Sequence, residues 1–474
     1  MIGESIVCIK MEQLQRFFVA WTIFFFPFIT SITKAPSFLG GLGKEGSFYP
    51  ALCFFVLFYL SILIKRGEIF FPKKNLIIYL LFFLIIACVS IVFNTNDLLD
   101  AHHQGASGYG RAIIQYGSLC FYVLLAIAYS NFFVKQNDSL QFVLKWIILS
   151  AILSASYSIF ELGALFSDPT CLAIREFIDS LFRDGAESTG VIQTYLRGIR
   201  SLADEASFFA LYSGIVFPWI FVGTIIYPGK KRYFFTFLLT LFFALNILST
   251  SRTAYVVIAF EILACAILFK NYISLKKIAS FMMVLLVFFV IIYSNFSNVE
   301  LLDRVDLTST FQSIFEEDKL HEGSNIARYG SQQAALAMFR THPLLGVGYG
   351  EFGFYAADYY PNSAWQSFEV LDWGSNVVPG KWPPTHNLFA RLLGETGILG
   401  FLAWIAFSLI ILIEIYRIKR RLNAQGDIIM SALFISFLAI FIFSLQNDSI
   451  RIMPLWLFIG LVWGVSMRAS KKLS

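Results

Sequence analysis

The chain has 474 residues, of which 57% are hydrophobic, 18% are aromatic and only 14% are charged. Soluble globular domains carry roughly 25% charged residues, so this composition excludes a water-soluble enzyme and indicates a membrane protein. The formal net charge of +5 is modest and is explained by membrane-orientation signals rather than by nucleic-acid binding.

Long apolar runs recur along the chain. A helix needs about 20 apolar residues to span the bilayer, and the runs here are continuously apolar rather than alternating, which favours helices over a β-barrel. They lie at about 17–33, 47–64, 75–93, 112–134, 142–166, 205–227, 233–250, 253–269, 278–296, 387–416, 428–446 and 451–467. The sequence therefore predicts an all-α, polytopic integral membrane protein with about twelve transmembrane helices.

Basic residues concentrate in alternate connections between these runs. The main clusters are Lys65 and Arg66, Lys73 and Lys74, Lys135 and Lys145, Lys230 to Arg232, Lys270 to Lys277, Arg417 to Arg421, and Lys471 and Lys472. Because basic loops stay in the cytoplasm, both termini are predicted to be cytoplasmic, and the opposite face is periplasmic or extracellular.

The connections divide the chain into three parts. Residues 1–296 hold helices one to nine and a smaller external segment at 167–204. Residues 297–385 form a large external loop, in which Ser324 to Arg340 is predicted to be a helix. Residues 386–474 hold helices ten to twelve.

The junction between the large loop and the tenth helix is the strongest candidate for chemistry. Two prolines precede Thr385, which is a predicted N-cap, so His386 is expected on the first helical turn at the membrane surface. An unperturbed histidine has a pKa near 6.5 and takes up a proton close to neutral pH. The structural alternative is an interfacial histidine that anchors the helix end.

Three arginines are predicted at helix ends on the outer side. Arg200 precedes the sixth helix, Arg252 lies in the hairpin between helices seven and eight, and Arg328 lies early in the loop helix. The planar guanidinium suits bidentate binding of phosphate oxygens, and three around one site would hold a diphosphate without a metal. For any one taken alone, a snorkelling or salt-bridged structural arginine is the alternative.

Arg391 and Glu395 lie one turn apart on the tenth helix. Their i, i+4 spacing predicts an intramembrane brace or an orienting pair rather than a catalytic acid. In a regular helix Glu395 would lie about 13 Å deeper than His386, at roughly 1.5 Å per residue, so it is not expected to contact that histidine.

Five segments carry a family resemblance. They are Arg200 to Ala210, Ser249 to Thr253, Ala337 to Phe352 with its His342-Pro343-Leu344-Leu345-Gly346-Val347-Gly348 core, His386-Asn387, and Glu395 to Gly400. Together they span roughly the last 275 residues. In these segments the chain resembles the O-antigen polymerase and O-antigen ligase superfamily of bacterial envelope glycan enzymes.

The resemblance implies a glycosyltransferase on the periplasmic face of the bacterial inner membrane, with an undecaprenyl-diphosphate-linked glycan as donor and a lipid-linked acceptor. It implies that His386 is the general base and that Arg200, Arg252 and Arg328 bind the diphosphate. The expected supporting residues are Asn387, Glu205, Tyr329, Arg391 and Glu395. The external loops contain no D-x-D pair, which fits metal-independent transfer without a cofactor. Attack from the face opposite the lipid would invert the anomeric centre. A chain-length regulator protein is a candidate partner.

Three functions stay open at this stage. The first is an O-antigen polymerase, which transfers the growing glycan to an incoming lipid-linked repeat unit. The second is an O-antigen ligase, which uses the same donor but transfers the glycan to lipid A core. The third is a lipid-linked oligosaccharide flippase, which would have a similar number of helices but no need of a large external loop.

Overall fold

The computed structural model describes residues 2–36, 39–65, 68–103, 105–166, 168–183, 198–272, 323–374 and 382–471. Its α-helices are α1 (Ile2–Phe24), α2 (Gly40–Gly43), α3 (Phe48–Lys65), α4 (Lys74–Phe93), α5 (Thr95–Asp100), α6 (Gly108–Lys135), α7 (Ser139–Leu165), α8 (Pro169–Phe182), α9 (Ala206–Ile226), α10 (Lys230–Leu248), α11 (Arg252–Leu268), α12 (Gly323–Thr341), α13 (Phe352–Tyr359), α14 (Phe368–Gly374), α15 (Leu388–Lys419), α16 (Ala424–Phe443) and α17 (Met453–Lys471). A 3-10 helix, Asn362–Gln366, precedes α14. The strands β1 (His102–His103) and β2 (Ala106–Ser107) pair antiparallel.

Seven helices in these ranges are long and apolar enough to cross a membrane, namely α4, α6, α7, α9, α10, α15 and α16. Shorter apolar helices cover Phe48–Ile64 and Met453–Ala469. Every predicted apolar run except the ninth overlaps a described helix, and the ninth, at 278–296, lies outside the described residues. The prediction of an all-α polytopic membrane protein is confirmed, while the total of twelve spanning helices stays a prediction.

The core of the bundle is built from close helix pairs. α17 packs along α6, α15 packs along α4, and α9 lies among α10, α11 and α16. Large aromatic side chains fill the centre, and Trp219, Trp404, Trp456 and Trp463 are almost completely buried. Since apolar surface gains little by leaving lipid for protein, such shape-matched packing is what holds these helices together.

The helices of the large external loop form a second, smaller core at one end of the bundle. Buried residues of α12 and α13, including Ala334, Met338, Phe352 and Ala356, pack together with Ala390 of α15. The predicted loop helix is confirmed, since α12 covers the expected range. This second core joins the external loop to the first turn of α15.

Helix α15 is interrupted at Gly397, whose φ of 63° and ψ of −167° are not helical. A Cβ on this glycine would lie 2.3 Å from the backbone of Leu344, so only glycine fits both the positive φ and the contact. The next residue, Ile398, donates its backbone N–H to the carbonyl of Pro343 at 2.9 Å instead of to its own helix. The break is therefore closed by the segment that follows α12.

The same segment caps the helical turn before the break. The carbonyl oxygens of Gly394 and Glu395 accept hydrogen bonds from the backbone N–H groups of Val347 (2.9 Å) and Gly348 (3.1 Å). The last carbonyls of a helix have no partner within it, and a buried carbonyl without one is destabilising. The glycine-rich segment at 343–350 thus provides what the broken helix lacks and fixes the start of α15 against the loop.

Candidate active site

His386 lies just before α15 rather than on it. The N-cap is Asn387, whose side-chain oxygen accepts hydrogen bonds from the backbone N–H groups two and three residues later, at 2.9 and 3.1 Å. The helix therefore begins at Leu388. The prediction that Thr385 is the N-cap and that His386 lies on the first turn is wrong, because the amide of Asn387 reaches these donors and Thr385 is bound elsewhere.

The backbone around His386 is held by the loop between α16 and α17. Thr385 donates its N–H to a carboxylate oxygen of Asp448 at 2.8 Å, and Leu388 donates to the carbonyl of Asn447 at 3.0 Å. Between these anchors His386 has a φ of +54°, in the left-handed region that is costly for a residue with a Cβ. Such strain persists only where the surroundings enforce it, and it is common at functional sites.

The imidazole of His386 is partly buried, and its surroundings change its pKa. Its ring lies 5.8 Å from the ring of Trp373, and its Nε2 atom is buried with no hydrogen-bond partner among the described residues. Burial lowers the pKa of His386 to about 4; the carboxylate of Asp448 acts in the opposite direction, and the charge of Arg328 lowers the pKa further. The imidazole is consequently neutral at neutral pH, which is the form that a general base requires.

Arg328 and Tyr329 lie side by side on α12 and are both exposed, Tyr329 by 52%. Arg328 is near enough to His386 for its charge to affect the imidazole. In the described ranges no hydrogen bond or ion pair joins its guanidinium to another residue. Its donors are thus available to a ligand next to the histidine.

Arg252 is the first residue of α11, and it reaches the same loop helix. Its guanidinium donates a hydrogen bond to the side-chain oxygen of Asn325 at 3.2 Å, one turn before Arg328 on α12. Its neighbour Thr253 is hydrogen-bonded to Gln446, in the loop that also carries the carboxylate beside His386. Contacts between neighbouring elements therefore link Arg252, Arg328 and His386 at one end of the bundle.

Arg200 is buried, with 8% of its surface exposed. Its guanidinium donates to the carbonyl of Asp204 at 3.1 Å and lies 3.7 Å from the carboxylate of Asp179. Burial lowers the pKa of Arg200, and the neighbouring charge of Arg183 lowers it further, while Asp179 acts in the opposite direction. Its Nε atom is buried without a partner in the described part of the chain.

Arg200 belongs to a buried group of charges, here called the Asp179 cluster, which consists of Glu161, Arg175, Asp179, Arg183 and Arg200. Asp179 is its centre: one carboxylate oxygen lies 2.7 Å from the guanidinium of Arg183, and the other lies 3.8 Å from that of Arg175. The backbone N–H of Arg200 donates to Glu161 at 3.2 Å. Three guanidinium groups thus share two carboxyl groups.

The segment before α9 packs directly on the hairpin before α11. Gly198 has a φ of +84°, and a Cβ there would lie 2.4 Å from the carbonyl oxygen of Ser249. Ile199 donates its N–H to the carbonyl of Leu248 at 3.2 Å. Glu205, an expected supporting residue, is exposed and accepts a hydrogen bond from Ser207 at 3.1 Å. The Asp179 cluster and Arg252 consequently belong to neighbouring segments.

Arg391 and Glu395 form an ion pair, with 3.0 Å between Nε and the carboxylate. Arg391 also donates to the backbone carbonyl of Asp448 at 3.1 Å. The oxygens of Glu395 accept hydrogen bonds from the N–H groups of Gly350 (2.9 Å) and Phe352 (3.2 Å). The pair therefore connects the loop that supports His386 to the glycine-rich segment, and Glu395 does not contact the histidine.

The sequence analysis missed Asp448 and Arg451. Both lie in Gln446-Asn447-Asp448-Ser449-Ile450-Arg451, a dense polar segment between two apolar runs. That density was a usable signal, because a short outer connection rarely needs so many polar side chains. Their partners, by contrast, come from distant parts of the chain and leave no trace in the local sequence.

Glu351 was also missed as a site residue. It is fully buried, and both of its carboxyl oxygens are without hydrogen-bond partners in the described ranges. Burial raises its pKa to about 9, the nearby Glu395 raises it as well, and Arg111 and Arg391 act in the opposite direction. Arg111 itself donates to the carbonyl of Gly350 at 3.3 Å. Glu351 is thus a neutral carboxylic acid next to the network around Glu395.

No group of three or more His, Cys, Asp or Glu side chains within the described ranges is placed to hold a metal ion.

Residues 235–405 match the family model described as O-Antigen ligase. The matched range contains Arg252, Arg328, His386 and Glu395, whereas Arg200 and Asp448 lie outside it. None of the curated proteins compared with the chain matches it. The matched range includes the hairpin before α11, helix α12, the glycine-rich segment and α15 as far as residue 405, which meet at one end of the bundle. The protein is a multi-pass membrane protein in which residues 235–405 are similar to the O-Antigen ligase family.

Proposed function

We propose that the protein is an O-antigen polymerase of the bacterial inner membrane. It would transfer a glycan from undecaprenyl diphosphate to a sugar hydroxyl of an incoming lipid-linked repeat unit at the periplasmic face, with inversion at the anomeric carbon. The observation that carries the proposal is the buried Nε2 atom of His386, which has no hydrogen-bond partner among the described residues and lies near the charge of Arg328. Arg328 lies on α12, and Arg252 donates a hydrogen bond to the same helix. A neutral base and fixed cations at one end of the bundle are what this transfer needs.

In the proposed reaction His386 removes the proton of the acceptor hydroxyl. The oxygen attacks the anomeric carbon of the donor from the face opposite the lipid, and a new C–O bond forms as the bond to the diphosphate breaks. The electron pair of the broken bond goes to the diphosphate oxygen, which stays on the lipid. A general base contributes about 10²–10⁴-fold to such a step.

The cations would stabilise the charge that develops on the diphosphate. Arg328 and Arg252 supply guanidinium groups on touching elements, while Arg200, enclosed in the Asp179 cluster, would support the neighbouring hairpin. Fixed donors aimed at developing charge are usually the largest contribution to catalysis. A diphosphate stabilised in this way leaves without a proton, so the reaction requires neither a second carboxylic acid nor a divalent ion.

The proposal is tested with purified protein in lipid vesicles that contain lipid-linked repeat units and no energy source. The expected result is glycan longer than one repeat, with little change after addition of a chelator. Redistribution of the lipid between leaflets without longer glycan would contradict the proposal and favour the flippase. Strong inhibition by a chelator, reversed by a divalent ion, would contradict the metal-independent mechanism alone.

A ligase is the second candidate, because the matched family model is described as O-Antigen ligase. Both enzymes use the same donor and differ in the acceptor. Cells that lack the protein separate them: core bearing a single repeat unit identifies a polymerase, whereas bare core with lipid-linked polymer accumulating identifies a ligase. Complementation with the intact gene is the control.

A further inference from the structure

A cavity of about 210 Å³ lies next to the candidate active site. Its walls come from the segment between α1 and α3, the beginning of α9 and the loop between α16 and α17. Asp448 is part of the wall, and the same residue binds the backbone of Thr385 and acts on the charge of His386. The cavity and the proposed base thus share one carboxylate.

The lining combines apolar side chains with hydrogen-bonding groups. Phe26 and Phe208 are among the apolar residues, and Glu45, Asp448 and Arg451 are the charged or titratable ones. Aromatic and aliphatic surface beside convergent polar groups is typical of sites for small polar ligands. Sugar rings present both kinds of surface, hydroxyl groups at the rim and C–H groups on the faces.

Two groups in the cavity wall lack a strong internal partner. The hydroxyl oxygen of Thr30 is buried and has no hydrogen-bond partner within the described ranges, and its residue has a φ of +51°. The carboxyl of Glu45 accepts one long hydrogen bond, 3.3 Å, from the backbone N–H of Thr30. A buried hydroxyl without a partner is costly, so the retention of Thr30 next to a cavity indicates a ligand that supplies that partner.

The charges in the cavity favour a neutral ligand. Asp448 and Arg451 have opposite charges, and burial raises the pKa of Glu45 to about 8, against the opposing effects of the Thr30 hydrogen bond and Arg451. Glu45 is therefore mostly a protonated donor at neutral pH. A diphosphate would gain no net attraction here and would meet the carboxylate of Asp448.

The volume of the cavity favours a ligand of the size of a single sugar ring. Sites for drug-sized ligands enclose roughly 300–1,000 Å³, which is more than this cavity provides. A space of about 210 Å³ holds roughly seven water molecules at about 30 Å³ each.

We propose that this cavity binds the terminal neutral sugar of the acceptor and presents its hydroxyl to His386 across the shared Asp448. The inference rests on the proposed function and extends it, because it assigns acceptor and donor to different surfaces. The acceptor ring occupies the cavity beside Glu45, while the donor diphosphate lies by Arg252 of α11 and Arg328 of α12.

Gly41 allows a test that spares the fold. It lines the cavity, and a Cβ added there would have no atom within 4 Å. Gly41→Trp should fill the cavity and raise the acceptor KM at least about tenfold, while the donor KM and the slow hydrolysis of the donor stay unchanged. The matched control is Gly117→Trp, on an exposed face of α6 where a Cβ also meets nothing within 4 Å. The control should leave all three values unchanged.

An unchanged acceptor KM in Gly41→Trp would overturn the inference. Loss of donor hydrolysis together with transfer in this variant, but not in the control, would assign the cavity to the donor and also overturn it. Wild-type protein that neither transfers nor hydrolyses would instead overturn the proposed function, and this outcome is recognised before any variant is measured.

If Gly41→Trp does not fold, a second pair of variants tests whether the cavity binds the acceptor sugar. Glu45→Ala removes the hydrogen-bonding group and should raise the acceptor KM about tenfold, whereas Glu45→Gln keeps a donor and an acceptor and should restore it. Equal acceptor KM values for Glu45→Ala, Glu45→Gln and wild type would overturn the inference.

Discussion

Two groups of arginines lie at one end of the bundle, and their surroundings differ. In the Asp179 cluster the guanidinium groups are buried and already paired, with Arg183 2.7 Å from the carboxylate. Around His386 the cation nearest the imidazole, Arg328, is exposed. The same residue type is thus used once inside the protein and once at a surface that is open to a ligand.

Because of this difference, we expect the buried arginines to act in protein stability and the exposed arginine to act in ligand binding. Removing a partner from a buried ion pair leaves an uncompensated charge, so the Asp179 cluster must be kept intact for the fold to form. An exposed arginine contributes little to stability, since surface charges are well solvated and screened. Residues of the first group are expected to change stability when mutated, and residues of the second group to change activity.

The largest expected effect concerns the proposed base. His386→Ala should lower the rate of glycosyl transfer by about 10²–10⁴-fold without lowering the thermal unfolding midpoint, because the side chain is only partly buried and its Nε2 has no hydrogen-bond partner in the described ranges. Initial rates with saturating donor and acceptor provide the measurement. The control is His102→Ala, an exposed histidine in β1, which should leave the rate unchanged. A His386→Ala variant that turns over like wild type would remove the assignment.

The Asp179 cluster should show the opposite response. Asp179→Asn leaves Arg175, Arg183 and Arg200 with one carboxyl group fewer and should destabilise the fold by about 3–5 kcal/mol. The thermal unfolding midpoint in detergent is the measurement. Glu176→Gln, an exposed carboxylate on the same helix, is the matched control and should stay within about 0.5 kcal/mol of wild type. Equal midpoints for the two variants would erase the distinction between the arginine groups.

Arg328 tests the same distinction with an exposed arginine. Arg328→Ala removes a donor to the proposed diphosphate and should raise the donor KM about 10–100-fold, the effect of losing a charged hydrogen bond, with an unchanged unfolding midpoint. The control is Arg340→Ala, an exposed arginine in the last turn of the same helix. If the Arg328→Ala midpoint falls as far as that of Asp179→Asn, then Arg328 is a structural arginine.

Much of the fold was predictable because it depends on local composition. A run of apolar residues about 20 long has few alternatives to a spanning helix, and the range from Ser324 to Arg340 has the length and polarity of a surface helix. The break at Gly397 was not predicted, since the glycine lies in a continuous helical pattern. It forms only because Leu344, more than fifty residues earlier in the chain, packs against that position.

The site was predictable in its residue types and not in its contacts. His386 and Arg328 stand out as polar residues at helix ends, and the structure links them through the effect of one charge on the other. That Arg200 would be enclosed by Asp179 depends on the packing of α8 against α7, which no local pattern encodes. Asp448 was missed for the same reason, because its role comes from a bond to Thr385, 63 residues earlier.

Glu351 extends the comparison to a buried carboxyl that has no cation within ion-pair distance in the described ranges. Asp179 has guanidinium groups within ion-pair distance, whereas neither oxygen of Glu351 has a hydrogen-bond partner in the described ranges. Burial, followed by the charge of Glu395, raises the pKa of Glu351 to about 9, with Arg111 and Arg391 opposing the shift. Its ordinary pKa is 4.5.

Between pH 4.5 and about 9 the folded protein therefore keeps a proton on Glu351 that the unfolded chain releases. In this window the folded state binds more protons, so this residue's contribution to stability falls as the pH rises, by at most about 1.4 kcal/mol per pH unit. Glu351→Gln carries no ionisable group and removes the dependence. The gap between the unfolding midpoints of Glu351→Gln and wild type should widen in favour of the variant from about pH 5.5 to about pH 8, each about one unit inside the window.

Asp358→Asn is the control for this smallest effect, because Asp358 is an exposed carboxylate on the neighbouring helix α13. Its midpoint should follow that of wild type at every pH. If the unfolding midpoint of Glu351→Gln also changes with pH in parallel with that of wild type, then Glu351 is ionised in the folded protein. Its charge must then be compensated by Arg111 or Arg391. Glu351 would in that case resemble Asp179, as a buried carboxylate whose charge is balanced by nearby arginines. The only remaining contrast would be that between the buried, paired arginines and the exposed Arg328.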